Sequence, residues 1–234
     1  IVALFEAGED EESRYLVSEL VRGRTMSDLL AEGALSDRDV ARIGTALCDA
    51  LGHAHDQGVV HRDVKPANVM IPERPAAGGA VAKLMDFGLA RAVGPTGPAG
   101  KAPMETITQG TLTEEGTILG TFFYMAPEQL EGQEADTRAD LWALGCVLYE
   151  MATGRRPFGG STPAQTISSI LRDAPRSVLE ARQDAPRHLG RIIGHCLEKE
   201  PRDRYQTARD VYNELRSLRK EVESVASSAS GSVV

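Results

Sequence analysis

Two stretches of this chain concentrate side chains able to do chemistry. His61-Arg62-Asp63-Val64-Lys65-Pro66-Ala67-Asn68 brings a carboxylate, an ammonium group and an amide close together, and Asp86-Phe87-Gly88 adds a second carboxylate downstream. Such side chains on neighbouring segments could move a proton or hold a cation. The plainer alternative is a surface turn with scattered charge. Ala126-Pro127-Glu128 follows, then Asp140, Trp142 and Gly145 within one helical pattern, and Arg204 near the end. His53, His55, His188 and His195 have no ligand-like spacing and are expected to be surface or core residues. Cys48, Cys146 and Cys196 are widely spaced, with no CxxC or Cys/His pattern, which favours reduced buried thiols over a disulfide or zinc.

The elements that must position these groups can be read from periodicity. Val2 to Phe5 and Arg14 to Glu19 read as two short strands joined by the acidic turn Gly8-Glu9-Asp10-Glu11-Glu12. Ser36 is an N-cap followed by Asp37 and Asp39, and Val40, Ile43, Leu47, Leu51 and Ala54 recur at helical spacing until Gly58. Short apolar runs at Val59-Val60, Val69-Met70-Ile71 and Val81 to Met85 predict small strands around the polar loop. Residues 94–103, punctuated by Gly and Pro at nearly every turn, predict a mobile loop. Beyond it the patterns are helical: Thr137 to Thr153 with Gly154 as its stop, Pro163 to Leu171, Leu189 to Leu197 and Thr207 to Val222. From Ser224 the Ser/Ala composition predicts a linker that buries little.

Composition narrows the function. The 234 residues carry 26 Lys plus Arg against 34 Asp plus Glu, a net charge of −8, which disfavours nucleic-acid binding driven by phosphate neutralisation. No run of 18 apolar residues occurs, so no membrane span is expected within the chain. No lysine precedes Lys65.

In order along the chain, H-R-D-x-K-P-x-N, D-F-G and G-T-x-x-Y-M-A-P-E-Q resemble the signature motifs of the protein kinases. Lys65-Pro66 between the Asp and the Asn resembles the serine/threonine branch, and the Ala- and Arg-rich composition resembles its bacterial members. The resemblance implies an α+β, protein-kinase-like fold: a mostly α-helical C-terminal lobe with a remnant of the small β-rich N-terminal lobe. It implies ATP and Mg²⁺ (or Mn²⁺) as cofactors and protein Ser/Thr hydroxyls as acceptors. Carried over by motif position, Asp63 is the catalytic base, Asn68 and Asp86 are metal ligands, and Lys65 is the cation beside the γ-phosphate, with Thr121 contacting Asp63 and Lys65. Glu19 to Val21 becomes the hinge whose backbone meets adenine, with Ser18 as gatekeeper and Met70 under the ring. Arg62 marks the subtype whose activation loop is ordered by phosphorylation, here at Thr111, Thr113 or Thr117. His61, Glu128, Asp140 and Arg204 take structural roles: His61 bracing the loop, Glu128 pairing with Arg204, and Asp140 accepting backbone N–H bonds.

The resemblance covers residues 1–222, with 1–21 as the end of the N-lobe and hinge, 22–222 as the C-lobe, and 223–234 as a disordered Ser/Ala linker. It begins late. The chain holds no G-x-G-x-x-G, no strand lysine and no helix C glutamate, so the expectation is a catalytic domain truncated in its small lobe and inactive by itself. The alternative is a pseudokinase scaffold without catalysis. A cytoplasmic location, or the cytoplasmic part of a membrane-anchored kinase with its anchor beyond Val234, and dimerisation for autophosphorylation complete the expectations.

Overall fold

The computed structural model describes residues 1–9, 14–74, 79, 81–86 and 122–230. Thr96, Thr106, Thr111, Thr113, Thr117, Thr121, Phe87 and Gly88 lie outside the described residues. Two small sheets accompany a helical mass, and two helices fall between the strands of the second sheet. Strands β1 (Leu4–Glu9) and β2 (Arg14–Ser18) form an antiparallel hairpin, with Gly8 opposite Tyr15 and a register shift between Leu4 and Glu6. β1 starts and ends later than its hydrophobic pattern predicts, because pairing continues through Ala7, Gly8 and Glu9. Strands β3 (Gly23–Thr25), β4 (Val69–Pro72) and β5 (Lys83–Leu84) form a second antiparallel sheet in the order β3-β4-β5.

Helix α1 (Met26–Leu30) opens with a reciprocal cap between Thr25 and Asp28. Helix α2 (Asp37–Asp56) is capped by Ser36, which accepts from the Asp39 N–H. Its end differs from expectation. The Gly58 N–H donates to His55 O and the Val59 N–H to Ala54 O, with Gly58 at φ 73°. This left-handed closure uses the N–H that a Val59-Val60 strand would need, and no strand forms there.

Downstream lie α3 (Pro127–Leu130), α4 (Thr137–Thr153), α5 (Pro163–Arg172), α6 (Val178–Ala181), α7 (Arg187–Cys196) and α8 (Ala208–Ser230). α4 is buried on all sides from Ala139 to Tyr149, which makes it the central helix of the lobe. It starts at the Asp136 cap and stops at Gly154, whose φ of 69° is the left-handed conformation glycine adopts without strain. Gly145 lets α4 approach α7 closely, since a Cβ there would lie 2.6 Å from the Cys196 Cβ. Trp142 stacks on Phe158 with ring centroids 5.4 Å apart, and the Lys199 ammonium sits 4.0 Å over Phe158. Cys48, Cys146 and Cys196 are free and buried, and burial pushes their thiols up.

The expected linker from residue 223 needs correction: α8 runs on to Ser230. Once a long helix is nucleated, Ala and Ser extend it at little cost per residue, so a composition poor in apolar groups does not end it. Among the described residues no helix is long and apolar enough to cross a membrane.

Candidate active site

The loop from Val59 to Asn68 leaves α2 and enters β4, and its shape is dictated by one carboxylate. Asp140, 1% exposed in the first turns of α4, accepts the Arg62 N–H on Oδ1 and the His61 N–H on Oδ2, both at 2.8 Å. Its Oδ2 also meets His55 Nε2 at 2.9 Å. A buried carboxylate is costly unless its lone pairs are taken, and these three donors take them. They also hold Arg62 at φ 65°, a left-handed conformation rare outside glycine that persists where surrounding bonds over-determine it.

His61 is fully buried and bridges two segments. Its Nδ1 accepts the Asp63 N–H at 3.2 Å, so the ring hydrogen resides on Nε2, which donates to Met85 O at 2.9 Å. Burial pushes the His61 imidazole below its ordinary pKa, against the opposing pull of Asp140. The neutral ring thus ties the loop to the residue preceding Asp86.

Asp63 stands at the centre of the remaining polar groups. Asn68, in the turn Pro66–Asn68, donates from Nδ2 to Asp63 O at 2.8 Å and to Asp63 Oδ2 at 2.9 Å. The Lys65 ammonium lies 2.8 Å from the same Oδ2. Two donors on Oδ2 orient the carboxylate and leave Oδ1 as the oxygen for an incoming group. Both Asn68 amide hydrogens are used on Asp63, so its amide oxygen is the atom turned to other partners. Asn68 O accepts the Met85 N–H at 2.9 Å, and Asp86 follows directly, exposed and at φ 53°. Asn68 and Asp86 therefore offer one amide and one carboxylate oxygen from joined segments, a donor set that suits a hard cation such as Mg²⁺.

Glu19, Leu20, Val21 and Arg22 connect β2 to β3, and Met70 lies on β4 opposite Thr25 and Lys83. Val21 and Met70 are half-buried and Leu20 is largely exposed. Glu19 pairs with Lys83 of β5, and this hydrogen bond holds its carboxyl below the usual carboxylate range. Arg62 is exposed.

Away from the loop, Arg204 is fully buried and donates in a fork to Glu128, with both N···O distances 2.7 Å. Its other donors reach Glu198 O, Arg138 O and Lys199 O, so all five guanidinium hydrogens are used. Two residues of the site escape a motif reading. His55 was expected to be an ordinary surface or core residue, yet it bonds Asp140; its position four residues after Leu51, on the buried face of α2, is the signal that marks it. Lys83 has no local signal, because its partner lies far away in sequence.

A family model described as a protein kinase domain matches residues 1–215. Serine/threonine-protein kinase PknB of Mycolicibacterium smegmatis is 36% identical over 220 residues, covering 92% of this chain and 32% of PknB. A probable serine/threonine-protein kinase of Corynebacterium efficiens is 37% identical over 238 residues, covering 98% of this chain and 34% of that protein. Among solved structures, Rad53 1-466 in complex with AMP-PNP superposes with a TM-score of 0.67 at 30% identity, covering 92% of this chain and 49% of that one. The chain thus spans about a third of the length of the curated relatives it matches.

Proposed function

This chain belongs to the protein kinase domain family, and we propose from that footing that it serves transfer of the ATP γ-phosphate to serine or threonine hydroxyls of proteins. The observation that carries the reading is the Asp63 carboxylate, oriented through Oδ2 by Asn68 and Lys65. In this role Asp63 Oδ1 accepts the proton of the substrate hydroxyl as the hydroxyl oxygen bonds to the γ-phosphorus and the bond from that phosphorus to the β,γ-bridging oxygen breaks, releasing ADP. The Lys65 ammonium, next to the base, offsets negative charge spreading over the transferred group. The Asn68 amide oxygen and the Asp86 carboxylate would hold Mg²⁺, which when bound neutralises charge on the phosphate oxygens. The backbone of Glu19 to Val21 meets adenine, with Ser18 at the back of the pocket and Met70 under the ring.

By its motif position in Gly120-Thr121, Thr121 is assigned to the acceptor side of the reaction. Arg62, exposed beside the base, is suited to pair a phosphothreonine at Thr111, Thr113 or Thr117. The partners of this reading are ATP and protein substrates, and copies of the chain serve one another as substrates in autophosphorylation. The sequence holds no G-x-G-x-x-G and no lysine before Lys65, so these residues supply the catalytic-loop side of the site only. Assayed alone, the chain should transfer phosphate slowly.

The test is incubation with γ-³²P-ATP, Mg²⁺ and a general protein acceptor, followed by phosphoamino-acid analysis of the product. Label on serine or threonine that requires Mg²⁺ supports the reading. Nucleotide binding with no transfer, even when the chain is joined to residues bearing a Gly-rich loop and strand lysine, favours a scaffold instead.

A further inference from the structure

The short strand that delivers Asp86 is tied at every residue. Lys83 pairs with Met70 and Leu84 with Val69 across β4 and β5. The Met85 N–H donates to Asn68 O, and Met85 O accepts from His61 Nε2, both at 2.9 Å. Those bonds belong to the catalytic loop. Two more come from the amino-terminal segment and from the connection between β2 and β3. The Val2 N–H donates to Leu84 O at 3.0 Å, and the Lys83 ammonium pairs with the Glu19 carboxylate.

Glu19 is itself fixed twice to Ala3, the residue before β1. Its N–H donates to Ala3 O at 2.9 Å and its Oε2 accepts the Ala3 N–H at 3.4 Å. The Lys83 side chain is only 12% exposed and that of Glu19 32%, so the pair is partly shielded from solvent. Without Glu19, the Lys83 ammonium would remain largely desolvated and seek another partner. Asp86, three residues on, holds a left-handed conformation that needs a rigid lead-in.

We propose that the Glu19–Lys83 ion pair is a positioning device that locks the segment meeting adenine onto the strand carrying Asp86, so that the two ends of a bound nucleotide are gripped by one rigid unit. The inference rests on the nucleotide-site reading above and adds to it a role for Lys83. Neither side chain touches the reacting atoms. The pair acts by making the adenine contact and the metal–phosphate contact mutually favourable, which is a coupling free energy between two subsites.

Calorimetric titration of the full chain with adenosine and with MgATP reads that coupling as the ratio of the two Kd values. Three variants are compared with the wild type: Lys83→Met, Glu19→Gln, and the double swap Glu19→Lys with Lys83→Glu. Wild type should prefer MgATP. Each single variant should lose about tenfold of that preference, the scale of a typical intersite coupling, and the swap should restore most of it. Glu19→Gln, at the more exposed partner, keeps the test open if Lys83→Met fails to fold. Ratios unchanged in the folded single variants, or a swap that restores nothing, overturn the role of the pair. Absence of any MgATP preference in the wild type overturns the nucleotide-site reading itself, and the inference with it.

Discussion

Arg204 and Glu128 form a fork of two 2.7 Å hydrogen bonds inside the helical lobe, joining α3 to the turn that precedes α8. Both side chains are shut off from solvent, so removing one leaves the other charged and unpaired. Arg204→Met or Glu128→Leu alone should cost about 3–5 kcal/mol of stability, while the double variant should cost clearly less than the sum. Urea unfolding of the two single variants and the double variant checks this, and additive losses would count against the pair.

Asp140 should matter to the loop from Val59 to Asn68 more than to the helix that carries it. Asp140→Asn keeps the size but replaces one acceptor oxygen with a donor, facing the His61 and Arg62 N–H groups. Amide hydrogen exchange should accelerate at His61 and Arg62 while the middle of α4 stays protected. The stability loss should be roughly 2–3 kcal/mol, as expected when charge-assisted bonds to a buried group are broken.

His61 gives a pH dependence with a definite sign. Its folded pKa lies below its unfolded value, so the unfolded chain takes up the proton first. The stability it contributes is complete above the unfolded value of about 6.5 and is lost as pH falls through the folded value. Urea midpoints measured between pH 7.5 and 5 should fall more steeply for wild type than for His61→Gln, which lacks this titration.

Much of this was legible because chemistry and helix ends restrict residue types. α4 spans Thr137–Thr153 as its pattern predicts, with Gly154 marking its end; the Asp136 cap at its start is seen in the structure. Asp63, Asn68 and Asp86 stand out because they fall in the motifs H-R-D-x-K-P-x-N and D-F-G. Features set by distant contacts were not legible. Val59 reads as strand, but its N–H closes α2; Ser and Ala after Ser224 read as linker, but α8 continues through them. Lys83 pairs with a residue 64 positions away, and no local pattern announces that.

The segment from Asp86 to Glu128 contains seven threonines and no serine. If Arg62 pairs a phosphate in the active protein, mass spectrometry should find modification at Thr111, Thr113 or Thr117 and none at Thr121. Arg62→Ala should then remove the activating effect of that phosphate without changing the unphosphorylated rate. Unmodified threonines in a fully active preparation would contradict the scheme.

The most direct measurement is the phosphoryl-transfer rate of Asp63→Asn, made in protein that carries this chain together with a Gly-rich loop and strand lysine. Asparagine preserves the size of the side chain and the contact with Asn68 but cannot take the hydroxyl proton. The rate should fall by about 10²–10⁴-fold, while MgATP affinity stays within a few-fold of wild type. A rate unchanged within experimental error would contradict the assignment of Asp63 as the base.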